Sequence, residues 1–208
     1  MAAPSPWPVI HAERAALADD LNELTDGQWA TPSMCAGWSV HDVLGHIVAT
    51  AQMTPPRFIG RFAGAGFNFD KMAAKDVAAA TAGGPAATLA TFRSLQNETK
   101  APPGPIDAML GEAILHPADI RGPLGIAHTY PTEAVTRALD FYKNSNLIVG
   151  AKKRIAGVTL RATDADWSTG SGPEVTGPAL SLLQAVTGRK VALTDLSGEG
   201  VATLQSRM

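Results

Sequence analysis

Apolar residues recur at helical spacing through much of the first 150 positions. Over residues 9–24 they fall at Ile10, Ala16 or Leu17, Leu21 and Leu24, with charged residues largely between them, and Asp26-Gly27 ends the run. That periodicity predicts an amphipathic helix. A second helix is predicted to start at Ser39, whose hydroxyl can cap the free amides of the first turn, with Asp42 completing a capping box. It carries Val43, Leu44, Ile47 and Val48 and stops near Thr54-Pro55-Pro56, because proline cannot continue a helix. Residues 70–99 are alanine-rich and predicted helical, broken at Gly83-Gly84-Pro85. A turn over 101–105 leads to an apolar helix from Ile106 to His116. A further helix is expected from Thr132, capped behind Pro131, to about Val149.

After Gly150 the period changes. Val158, Leu160 and Ala162 alternate with Thr159, Arg161 and Thr163, the pattern of a half-buried strand. Glycine, serine and proline crowd residues 169–178, and a short helix from Pro178 to Thr187 should end at Gly188. A turn is expected at Ser197-Gly198-Glu199-Gly200. The predicted class is α+β: a helical bundle over residues 1–150 and a small mixed α/β unit over 151–208.

Composition narrows the possibilities. The 208 residues are 45% hydrophobic and 17% charged, which is globular rather than disordered. Seventeen basic and nineteen acidic side chains give a net charge of −2, and the cations do not cluster along the chain. Sequence-independent nucleic-acid binding, which needs gathered cations to neutralise phosphates, is not expected. The lone Cys35 excludes an internal disulfide and fits a reducing cytosol. Pro4, Pro6, Trp7 and Pro8 stand where the apolar core of a signal peptide would lie. No run approaches the roughly 18 apolar residues of a spanning helix, so no membrane partner is expected.

Chemistry concentrates in a few histidines. Glu112 and His116 stand four apart on a predicted helix and so share a face. His46 lies among Val43, Leu44, Ile47 and Val48, and a histidine facing a bundle interior needs a polar partner. Two histidines and one carboxylate form a metal-ligand set with open positions, typical of zinc. Taken alone, the spacing is weak and is better explained by an exposed i,i+4 pair and a hydrogen-bonded core histidine. Pro117 adds a local complication, since a residue before proline is pushed out of the helical region.

A longer pattern is more specific. The run Trp29, Pro32, Ser33, Cys35, Gly37, Trp38, Ser39, Val40, Asp42, Val43, Leu44 and His46 resembles the N-terminal domain of the mycothiol-dependent maleylpyruvate isomerase family, a branch of the DinB-like metal-binding helical bundles. The stretch from Gly111-Glu112 through His116-Pro117, Asp119-Ile120-Arg121 and Pro123-Leu124-Gly125 resembles that family's second signature. Ala162-Thr163-Asp164-Ala165-Asp166-Trp167, Gly177-Pro178, Gly188-Arg189 and Leu196-Ser197-Gly198 fit its tail, while residues 54–105 carry no matching motif.

The resemblance implies a DinB-like up-down four-helix bundle and a divalent metal, usually zinc, held by His46, Glu112 and His116. It implies that Arg189 is a catalytic basic residue for a substrate carboxylate; the alternative is a cation placed at a helix C-terminus. Asp119 either orients a ligand histidine or pairs with Arg121. Trp29, Cys35 and Trp38 are expected to pack the loop before the ligand helix, with Cys35 outside the site as a small buried hydrophobe. The implied cofactors are the metal and mycothiol, whose metal-bound thiolate would attack a small electrophile, giving cis–trans isomerisation or S-transfer. A metal-dependent hydrolase and a non-catalytic metal-binding protein are the alternatives. The expected setting is a cytoplasmic monomer or homodimer.

Overall fold

The computed structural model describes residues 4–146 and 149–208, in two compact units, Met1–His128 and Thr129–Met208. The chain is mostly helical, with a small three-stranded mixed sheet in the second unit.

The first unit contains α1 (Trp7–Asp20), α2 (Asp26–Trp29), α3 (Val40–Ala51), α4 (Pro55–Gly64), α5 (Phe69–Thr81), α6 (Gly84–Ser94) and α7 (Asp107–Leu124). Helix α1 packs on α6 and α7; α3 packs on the same two and also on α5. Their shared core holds Leu17 from α1, Val43 and Leu44 from α3, Phe92 from α6 and Ile120 from α7, all fully buried. Burying such side chains contributes about 1.5–3 kcal/mol each, so this seam is what fixes α3 against α7.

Several elements follow the sequence pattern and others depart from it. Ser39 and Asp42 form the predicted reciprocal capping box at the start of α3. Helix α1 begins at Trp7, two residues before the periodic run, because Pro8 sits in the first turn, where no backbone donor is needed. It stops at Asp20, ahead of Leu24. Thr54-Pro55-Pro56, predicted as a stop, is also a start: the Thr54 side chain accepts from the Arg57 amide, and the prolines occupy the first turn of α4.

The largest departure is α7, expected to end at His116. It runs 18 residues, through Pro117 and on to Leu124. Proline removes one backbone hydrogen bond, but the following turn buries Ala118, Asp119, Ile120 and Arg121, and that burial holds the helix together beyond the break. Gly125, in the left-handed conformation at φ +68°, ends it.

The second unit begins with α8 (Thr132–Tyr142), so the division falls ahead of this helix and not at Gly150. The reason is packing: Ala138 and Leu139 of α8 are fully buried, and α8 packs on the later helix α10 (Ala179–Val186). Helix α8 was expected to reach Val149 but closes at Tyr142, and residues 147 and 148 of that expectation lie outside the described residues. The short helix α9 (Ala151–Arg154) precedes the sheet, and a 3-10 turn over Lys190–Asp195 and α11 (Val201–Gln205) complete the unit.

The predicted strand is β1 (Thr159–Ala162), with Leu160 and Ala162 buried and Arg161 exposed. It is central, antiparallel to β2 (Ser168–Gly170) and parallel to β3 (Glu174–Gly177), with Leu160 opposite Thr169 and Val175. Strands β2 and β3 fall in and beside the stretch where glycine, serine and proline crowd and no strand is predicted. A Cβ on Gly170 would meet the Val158 carbonyl oxygen at 2.2 Å, so close backbone approach requires glycine there.

Candidate metal centre

Two helices supply the candidate cluster. The capped first turn of α3 places His46 two turns further along, and α7 carries Glu112 and His116 one turn apart. Asp119 follows on the turn beyond Pro117. In the first unit the structure brings His46, Glu112 and His116 together, with one donor atom of each lying within 4.8 Å of the others. His46 Nε2 lies 3.2 Å from Glu112 Oε2, and His116 Nε2 lies 3.4 Å from the same oxygen. The two imidazole rings meet edge to face, with centroids 4.8 Å apart.

These separations suit a common cation. Nitrogen and oxygen donors about 2.0–2.1 Å from a tetrahedral zinc are roughly 3.3 Å from one another. Both measured histidine–glutamate distances fall beside that value. The donor set is also chemically suitable, two imidazoles and a carboxylate, leaving coordination positions for an outside ligand.

The surroundings fix the orientation of His116. Its Nδ1 lies 3.1 Å from Asp119 Oδ2, a carboxylate oxygen with no solvent exposure. A carboxylate only accepts, so Nδ1 carries the proton and Nε2 faces Glu112. Asp119 was expected either to orient a histidine or to pair with Arg121. Its carboxylate contacts His116, while Arg121 pairs with Asp20 at 2.7 Å and approaches Glu13 at 3.8 Å.

Cys35 is closer to this chemistry than the sequence suggests. Its thiol donates to the same Asp119 oxygen at 3.0 Å, and Sγ lies 3.6 Å from His116 Nδ1. The loop before α3 carries it there, and the Met34 amide donates to the Asp119 carbonyl at 3.1 Å, tying that loop to α7. The expectation that the loop is a packing element holds for Trp29, 6% exposed in the core. Trp38 packs its ring against His46 at 5.1 Å between centroids. Reading Cys35 as a partner of Asp119 requires α7 to continue past Pro117, and the sequence argued for the opposite.

Electrostatics tie the cluster together. Burial works to raise the Glu112 carboxyl, but the charge and hydrogen bonds of His116, together with His46, outweigh it and hold the group well below its usual range. Burial works to lower His116, yet Glu112 and hydrogen bonds with Asp119, Cys35 and Glu112 push it well above the usual histidine value. A positive charge is therefore favoured where the three donors meet.

Arg189 belongs to the second unit. It is the residue before the 3-10 turn, and its Nη1 donates to the Thr187 carbonyl at 3.4 Å. Arg154 is its neighbour, and that guanidinium is lowered by burial and then by the charge of Arg189.

Residues 10–102 match the family described as mycothiol maleylpyruvate isomerase N-terminal domain. Two solved structures are similar in fold: a mycothiol-dependent maleylpyruvate isomerase and a histidine-to-alanine mutant bearing the same name. The first aligns with a TM-score of 0.63 and 12% identity, the mutant with 0.64 and 11%. Each alignment covers 93% of this chain and 91% of the other. No curated protein matches the sequence.

Proposed function

We propose that this chain, whose residues 10–102 match the mycothiol maleylpyruvate isomerase N-terminal domain, belongs to that family and is a metal- and mycothiol-dependent enzyme acting on a small electrophile. The reaction is cis–trans isomerisation of an activated double bond or S-transfer to the electrophile. The observation that carries this reading is the convergence of His46 Nε2 and His116 Nε2 on one oxygen of Glu112, at the spacing of ligands around a single cation. The remaining helices support it, since α1, α3, α6 and α7 pack in a closed ring suited to a DinB-like four-helix bundle.

In this proposal His46, Glu112 and His116 hold a divalent cation, with zinc best suited to the donors. Bound there, the cation supplies Lewis acidity that lowers the pKa of a coordinating thiol, making it a nucleophile near neutral pH. The chain's own residues prepare the place. Asp119 accepts a hydrogen bond from the Nδ1–H of His116 and so leaves Nε2 as the nitrogen turned toward the cluster. Cys35 donates to Asp119 and holds that carboxylate in place. Trp38 packs against the His46 ring and limits its rotation. Glu112 stays ionised between two imidazoles and offers a negative charge to a cation. Arg189 is assigned the recognition of a substrate carboxylate, a task its planar fork suits.

The test is a metal-to-protein ratio on untagged protein, followed by mycothiol titration of the cobalt-substituted form. A stoichiometric metal and a new sulfur-to-cobalt charge-transfer band are expected. An unchanged cobalt spectrum at saturating mycothiol refutes the thiolate chemistry, and full metal content in His46→Ala refutes the ligand set.

A further inference from the structure

Away from the histidine cluster, the first unit holds a cavity of about 220 Å³. It lies among α3, α4, α5 and α6, lined by Val48, Gln52 and Met53 on one side and by Arg57, Arg61 and Asp76 on another. Helix α4 carries no buried residue, although every other helix of this unit does. An ordinary amphipathic helix buries an apolar stripe against the core. This one packs on α5 and presents arginines to a cavity.

The polar lining is organised. Asp76 is 5% exposed and forms an ion pair with Arg61 across the cavity edge. A desolvated carboxylate is costly unless paired, so Arg61 is committed to neutralising it. Among the described residues, Arg57, one turn earlier on the same helix, makes no side-chain hydrogen bond or ion pair, and neither does Gln52. The two arginines and one aspartate leave one net positive charge on the lining. A planar guanidinium with a neighbouring amide matches a carboxylate, and a single net charge suits a monoanion better than a dianion. Val48 and Met53, elsewhere on the lining, offer an apolar surface to a short hydrocarbon tail. The volume is below the roughly 300–1,000 Å³ typical of drug-sized ligands, so the occupant is small.

We propose that this cavity is a binding site for a small aliphatic monocarboxylate, its carboxylate on Arg57 and Gln52 and its tail against Val48 and Met53. The site is separate from the histidine cluster and does not depend on a metal.

Butyrate is the probe, titrated into the full chain and followed by NMR of the Arg57 Nε–H and Gln52 side-chain amide signals. Saturable shifts are expected with a dissociation constant on the order of millimolar, in keeping with so few ligand atoms. Arg57→Gln is expected to weaken binding by at least about tenfold, the loss of a charge-assisted pair. Ala79→Leu, at an exposed position of the lining, is expected to occlude the cavity while the protein stays folded. Shifts that do not saturate, or affinity unchanged in both variants, overturn the proposal. Equal binding of butylamine overturns the anion assignment, and equal binding of inorganic phosphate overturns the carboxylate assignment. The dispersion of the backbone amide NMR signals serves as the folding control for both variants.

Discussion

Nδ1 of His116 lies 3.1 Å from Oδ2 of Asp119, while the opposite ring nitrogen faces Glu112 at 3.4 Å. The imidazole is thus held from behind by a buried acid and presented forward to the cluster. Removing the acid should be felt at the front. Asp119→Asn keeps the shape but cannot accept the Nδ1 proton through its amide nitrogen. It is expected to lower metal affinity about 10–100-fold. Competition with a chromophoric chelator measures this, and an unchanged affinity would refute the orienting role.

Cys35 acts one bond further out. Cys35→Ala removes the donor to Asp119 and is expected to weaken metal binding several-fold, a smaller effect than Asp119→Asn. Cys35→Ser restores a donor and should recover most of the loss. If the alanine and serine variants behave alike, the thiol contributes packing only.

Metal uptake should compete with a proton. The His116 pKa is raised in the metal-free protein, so binding must release that proton. Apparent affinity is expected to rise about tenfold per pH unit up to the raised pKa and then level off. Chelator competition across a pH series reads the slope directly, and a flat profile through neutral pH would contradict it.

The stability of the metal-free protein follows the same groups with the signs resolved. His116 is raised above 6.5, so its contribution is complete below that pH and disappears as pH climbs through the folded value. Glu112 is depressed below 4.5, so its contribution is present above that pH and is lost as pH falls through the folded value. Urea midpoints should therefore fall on both sides of a plateau. His116→Gln is expected to flatten the alkaline limb.

Two helical glycines should respond oppositely to alanine. A Cβ on Gly45, beside His46 in α3, would meet Thr81 Cγ2 at 2.5 Å, and that side chain is branched and hydrogen-bonded to the Val77 carbonyl. Overpacking of about 1–3 kcal/mol should outweigh a gain in helix propensity of up to about 1 kcal/mol. A Cβ on Gly122 would meet only the flexible Met34 side chain, chiefly its terminal methyl, which can swing aside. Thermal melts are expected to show a lower midpoint for Gly45→Ala and an unchanged or higher one for Gly122→Ala.

How much of this was legible in the chain depends on whether the deciding interaction is local. The capping box at Ser39 and Asp42 is encoded within four residues, and the structure forms it. The break at Gly83-Gly84 and the alternation around Leu160 are equally short-range, and both appear. Pro117 misleads because its local penalty is overruled by burial of the turn that follows, a tertiary effect. Helix α4 places Phe58, Ile59 and Phe62 at helical spacing but is short and hides behind prolines that serve two helices. Strands β2 and β3 lie in a glycine-rich stretch whose small residues permit close backbone approach. For the cluster, spacing alone favours an exposed pair and a core histidine, and it is the resemblance of the longer motifs that implies His46, Glu112 and His116 as a set. The part played by Cys35 emerges only when its loop meets α7.

The continuation of α7 past its internal proline puts Glu112, His116 and Asp119 on a single rod, with His46 alone on another. Three of the four groups thus travel together, and the aperture of the cluster has one principal degree of freedom, the gap between two helices. Substitutions at the buried seam of Val43, Leu44 and Ile120 can retune that gap without altering a ligand. In the proposed metal site, selectivity among ions of different radius would then be set from the hydrocarbon interior.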